Sequence, residues 1–108
     1  MTFTPDSVVV TAIFRPKPGA REALLEAMAA VIPLVHEEEG CQLYAIQEEP
    51  DGTIMMIENW DDAALLDAHG AGQPVADFTA AIADLLAEPV RVTRLKAIPL
   101  GDAVKGAL

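Results

Sequence analysis

Cys41-Gln42-Leu43-Tyr44-Ala45-Ile46-Gln47-Glu48, then Pro50-Asp51-Gly52, then Ile54-Met55-Met56-Ile57-Glu58-Asn59-Trp60, is the stretch on which the fold turns. Pro50-Asp51-Gly52 is a strong turn signal between two runs that read as strands, so the two runs form a hairpin. On the N-terminal side lie a helix over 20–36 and, before it, Val8-Val9-Val10-Thr11-Ala12-Ile13-Phe14. The latter run is apolar on both faces and reads as a covered strand. Between them Arg15-Pro16-Lys17-Pro18-Gly19 forces a turn. The helix places Leu24, Met28, Val31 and Val35 on one apolar stripe, with Gly19 as its expected N-cap, and Pro33 should kink its last turn.

On the C-terminal side, Asp61 is the expected cap of a short helix through 69, stopped by Gly70. Gly72-Gln73-Pro74 opens another helix, whose apolar stripe is Val75, Phe78, Ile82 and Leu85 and which ends at Glu88-Pro89. Residues 90–98 read as a fourth strand. Its alternation fails between Val92 and Leu95, which suggests a bulge or a change of partner. Residues 100–108 read as a loose tail on a core spanning about 8–98, and the whole chain 1–108 as one domain. The order β-α-β-β-α-β predicts an α+β, ferredoxin-like sandwich: a four-stranded antiparallel sheet with helices on one face. The other face carries apolar residues too and needs a cover. A second copy of the chain is the simplest one, giving a homodimer through the sheet face.

Composition narrows the function. The net charge of −10 argues against a phosphate backbone or an anionic lipid surface as partner. Arg15, Lys17 and Arg21, and Arg91, Arg94 and Lys96, read as solvated faces or salt-bridge partners, so neither nucleic acid nor membrane is expected. Hydrophobic residues make up 52% of the chain and aromatics only 5%, so the core is built from small aliphatics and methionine. A lone Cys41 permits no intrachain disulfide. There is no basic start followed by an apolar stretch, and no run of about 18 apolar residues, so a cytoplasmic location is expected.

Several short pieces, on these elements and in this order, resemble the antibiotic biosynthesis monooxygenase family. They are Pro16-Lys17-Pro18-Gly19, Gly40-Cys41-Gln42-Leu43-Tyr44, Glu58-Asn59-Trp60, and His69 nine residues after Trp60. The resemblance covers roughly residues 8–95. It implies a dimeric α/β barrel with a pocket in each subunit between sheet and helices. It also implies a cofactor-independent monooxygenase (no metal or flavin) that oxidises a quinol, phenol or anthrone-like polycycle with molecular oxygen. Relatives on the same fold degrade haem, isomerise small phosphorylated signals or have no known role. The haem-degrading ones carry an asparagine inside the first strand, where Thr11-Ala12-Ile13 has none. The position before Gly40, often proline in the family, is Glu39 here.

Such chemistry needs a base to form the electron-rich anion, donors to stabilise it and an apolar pocket. His69 is the candidate base, or a donor to a phenolate; the plain alternative is a surface histidine at a helix end. Trp60 is the second candidate catalytic residue, by stacking and through its indole N–H; alternatively it is a core tryptophan. Glu58 shares a strand face with Trp60 and could orient His69, or else pair with Arg91 or Arg94. Asn59 points to the opposite face, toward the subunit interface. Tyr44 and Phe78 complete the expected substrate-binding set, as a hydrogen-bonding group and a pocket wall. His36 beside Glu37-Glu38-Glu39 reads as surface charge, since no histidine pair has metal-ligand spacing. Two other function classes stand beside the oxygenase: a non-catalytic small-ligand or stress-related barrel, and an isomerase.

Overall fold

The computed structural model describes residues 6–108. The elements run β1 (Val8–Phe14), α1 (Arg21–His36), β2 (Cys41–Glu48), β3 (Ile54–Trp60), α2 (Ala63–Gly70), α3 (Gln73–Ile82) and β4 (Arg91–Leu95). The four strands form one antiparallel sheet in the order β2-β3-β1-β4. This is the ferredoxin-like α+β arrangement expected from the strand and helix order.

Strand alternation separates two sets of side chains. Val10, Ala12 and Phe14 of β1, Tyr44 of β2, and Ile54, Met56, Glu58 and Trp60 of β3 are buried beneath the helices. They pack with the α1 stripe of Leu24, Met28, Val31 and Val35, all buried as the spacing requires. On the other face Thr11, Ile13, Leu43, Ala45, Met55 and Ile57 are half-buried.

The boundaries depart from expectation where capping and pairing decide them. Helix α1 starts one residue later than expected. Its N-cap is Ala20, because Gly19 lies at φ +81° in the preceding turn. Asp62, not Asp61, caps α2: its Oδ1 accepts from the Leu65 N–H at 2.8 Å. Asp61 instead accepts from the Gln42 side chain. Gly70 is the last residue of α2, and Ala71 is its C-cap. Helix α3 ends at Ile82, so Leu85 lies beyond it. There Lys17 N–H donates to the Leu85 carbonyl and Ala87 N–H to the Arg15 carbonyl, which draws residues 85–87 into a bridge that a helix could not make.

Strand β4 is shorter than expected and pairs with β1 in unbroken register. The irregularity falls instead between Cys41 and Leu43 in β2. The C-terminal segment contains a local turn, in which Asp102 Oδ2 accepts from the Val104 and Lys105 N–H groups. Those two bonds hold the Asp102 carboxyl below its usual range. No helix among the described residues is long and apolar enough to cross a membrane.

Candidate active site

A cavity of about 700 Å³ opens between the sheet and the helices α2 and α3. That volume is within the range of small-molecule sites. Its floor is the helix-facing side of the sheet, with Val10, Ala12, Phe14 and Met56; its roof includes Leu66, Phe78 and Ile82. Phe14 and Phe78 meet edge to face, centroids 6.0 Å apart. Most of the lining is apolar. The polar groups are Tyr44, Glu58 and His69, with Thr79, Glu88 and Arg94.

Cross-strand register explains the polar end. Tyr44 lies opposite Glu58, and Glu58 opposite Val10, so β2 and β3 bring a phenol and a carboxyl side by side on the cavity floor. His69 reaches the same point from the last turn of α2. Its ring stands edge-on to Tyr44, centroids 5.5 Å apart, and lies over Trp60 at 4.5 Å. The His69 Nε2 is 3.9 Å from Glu58 Oε1. Its Nδ1 is 2.6 Å from Glu38 Oε1, and because a carboxylate only accepts, Nδ1 carries the proton of that bond.

Electrostatics assign different capacities to these groups. Burial pushes the Glu58 carboxyl up, while the Trp60 N–H and His69 pull it back. Burial, reinforced by the Glu58 and Glu38 carboxylates, lifts the Tyr44 phenol well above its ordinary value. Tyr44 is therefore a hydroxyl donor and not a base. Burial and the same two carboxylates also raise the Cys41 thiol, which keeps it from becoming a reactive thiolate.

Of the five residues singled out from sequence, Tyr44, Glu58, His69 and Phe78 meet at the cavity. Trp60 does not line it. It is wholly buried behind His69, and its indole N–H donates to Glu58 Oε1 at 2.9 Å. Neither its face nor its donor is left for a substrate. Glu58 forms no pair with Arg94, which binds Asp67 at 2.6 Å instead.

The residue that sequence reasoning missed is Glu38. In the run Glu37-Glu38-Glu39 only the middle carboxylate turns inward; its neighbours are exposed. The nearest signal was the run's place at the end of α1, just before Gly40. His36 takes no part in the site, and its Nε2–H donates to the Tyr44 carbonyl at 3.0 Å. Among the described residues no cluster of three or more His, Cys, Asp or Glu could hold a metal ion.

The fold and the site define a small ferredoxin-like α+β protein with a histidine–carboxylate pair at one end of an apolar cavity. The profile of the family described as antibiotic biosynthesis monooxygenase matches residues 7–86, and the chain belongs to that family. It is 35% identical over 97 residues to the Mycobacterium tuberculosis protein named "Putative monooxygenase Rv0793", covering 89% of this chain and 94% of that one. The solved structure of Rv0793 superposes with a TM-score of 0.81, covering 91% of this chain and 99% of the other. The Escherichia coli K12 protein named "Probable quinol monooxygenase YgiN" is 36% identical over 74 residues, covering 57% of this chain and 71% of its own.

Proposed function

We propose that the protein is a cofactor-independent monooxygenase acting on a quinol, phenol or anthrone-like polycycle. One observation carries this reading: His69 Nε2 and Glu58 Oε1, 3.9 Å apart, stand at the polar end of a cavity whose remaining wall is mostly apolar. A hydroxyl oxygen between them can reach both at about 2.8 Å, an ordinary hydrogen-bond length. His69 takes the substrate proton at Nε2. Burial raises the Glu58 carboxyl, and in its protonated form it can donate to the developing oxyanion, with Tyr44 adding a second hydroxyl. The resulting anion gives an electron to oxygen. One oxygen atom then enters the ring and the other leaves as water, with the substrate supplying the electrons and protons. The apolar wall, with Phe14 and Phe78, holds the rings and keeps water from the reactive anion. Trp60 supports His69 and Glu58 from behind. The names of the relatives in M. tuberculosis and E. coli agree with this reading.

The half-buried outer sheet face, with Ile13, Leu43, Met55 and Ile57, is the surface on which a second copy would pack to form a homodimer. The same cavity without turnover would serve a small-ligand carrier, and proton transfer without oxygen would serve an isomerase. An oxygen electrode separates these. Purified protein given a panel of quinols and anthrones should consume oxygen above the spontaneous rate, and His69→Ala should abolish that excess. Product formation without oxygen uptake would select the isomerase. Tight binding without turnover would select the carrier.

A further inference from the structure

We propose that Glu38 is a positioning residue that fixes which nitrogen of His69 faces the cavity; this rests on the reading of His69 as the base. A neutral imidazole has one N–H and one lone pair, and its partners choose between the two tautomers. Glu38 Oε1 lies 2.6 Å from Nδ1, which places the proton there. The lone pair is then on Nε2, the nitrogen beside Glu58 on the cavity wall. The opposite tautomer would put an N–H toward the substrate and leave no acceptor for its proton.

The fold is built to hold this contact. Glu38 sits in the short loop between α1 and β2, remote from His69 in sequence. The Glu38 N–H donates to the Val35 carbonyl, and the Cys41 N–H to the Glu38 carbonyl. The next turn is locked by Gly40, at φ +83°, whose carbonyl accepts from Asp61 N–H at the start of the segment leading into α2. The loop that carries the carboxylate is therefore tied to the segment that carries the histidine. Both side chains are shielded: His69 is 8% exposed and Glu38 22%. Such burial separates this pair from the solvated ion pairs elsewhere on the surface.

The groups facing His69 are Glu38 from the α1–β2 loop, Glu58 from β3, Tyr44 from β2 and Trp60 behind the ring. Of these only Glu38 is within hydrogen-bond distance of a ring nitrogen. Once Nε2 has taken a proton, the Glu38 carboxylate also stabilises the imidazolium. This is the second way it acts through His69 without touching the substrate.

The test needs no substrate at its first stage. Nitrogen-15 spectra report the tautomer of each histidine, and there are only two to assign. In the unaltered protein at neutral pH, the uncharged fraction of His69 should carry its proton on Nδ1. Glu38→Ala should move population to the Nε2–H form, and Glu38→Asp should restore the original pattern at least in part. A His69 proton on Nε2 in the unaltered protein, or a tautomer indifferent to Glu38→Ala, would overturn the proposal. A merely structural Glu38 would lower stability and leave the tautomer of the folded fraction unchanged.

With an active substrate in hand, Glu38→Ala should lower kcat by roughly 10- to 100-fold, the worth of one charge-assisted hydrogen bond, with KM little altered. A kcat unaffected by Glu38→Ala would also overturn it. If no substrate turns over in any variant, the oxygenase reading fails while the tautomer result still decides the role of Glu38.

Discussion

Replacing Gly40 by alanine tests the joint that brings the α1–β2 loop against α2. Two costs add at this position. The backbone lies at φ +83°, where a non-glycine residue loses about 1–2 kcal/mol. A Cβ there would also stand 2.6 Å from Leu65 Cδ1 and 3.0 Å from Leu65 Cβ, so α2 must give way. Forcing an extra methyl into packed space costs about 1–3 kcal/mol, for a total of about 2–5 kcal/mol. In a chain of this length that lowers Tm by about 4 °C for each kcal/mol.

Gly52→Ala supplies the control, because Gly52 has a similar φ of +91° but open space around it. It should lose only the backbone cost of about 1–2 kcal/mol. Urea and thermal unfolding of both variants, and of Gly40→Ala combined with Leu65→Ala, isolate the steric part. Shortening Leu65 removes the contact at 2.6 Å but keeps its Cβ at 3.0 Å, so the double variant should recover part of the about 1–3 kcal/mol relative to additivity. A Gly40→Ala cost no greater than that of Gly52→Ala, or simple additivity of Gly40→Ala and Leu65→Ala, would show that Leu65 does not crowd position 40.

Glu58→Gln should stabilise the protein at neutral pH, with a gain that disappears in acid. Burial raises the folded carboxyl above its ordinary value of 4.5, so between 4.5 and the folded value the folded state keeps a proton that the unfolded chain has lost. Stability therefore falls as pH rises through that window, by about 1.4 kcal/mol for each tenfold change in proton affinity, and glutamine removes the effect. Denaturant melts at several pH values would show parallel curves if the assignment is wrong. Asp62→Ala should cost about 1 kcal/mol in the same melts through loss of the α2 cap, and Asp61→Ala, which removes no cap, should cost less. Met56→Ala should cost about 2–5 kcal/mol, since Met56 is wholly buried in the cavity floor.

The hairpin, the α1 stripe and the antiparallel order were legible because period-2 and helical patterns report directly on which face is buried. Asp61 and Asp62 were not separable by pattern. Both can cap, and the choice was settled by Asp61 bonding to Gln42 across the Cys41–Leu43 irregularity. Leu85 kept helical spacing, yet it was pulled into the bridge with Arg15–Lys17, a tertiary contact that local sequence does not encode. At the site, Glu58 and Trp60 on one face followed from alternation. The burial of Trp60 behind His69 depended on where α2 docks, which no period predicts. Glu38 was invisible for a related reason: three consecutive glutamates give no sign of which one the loop turns inward. The same loop geometry, set by Gly40, decides it.

Turnover under oxygen-18 gas with a hydroxylated polycycle follows the oxygen atoms from O2 into product and water. If His69 initiates oxygenation, one labelled oxygen atom enters the product and the other water, with no label incorporated beyond background in His69→Ala. Product oxygen drawn from solvent, or labelling that persists undiminished without His69, would contradict it.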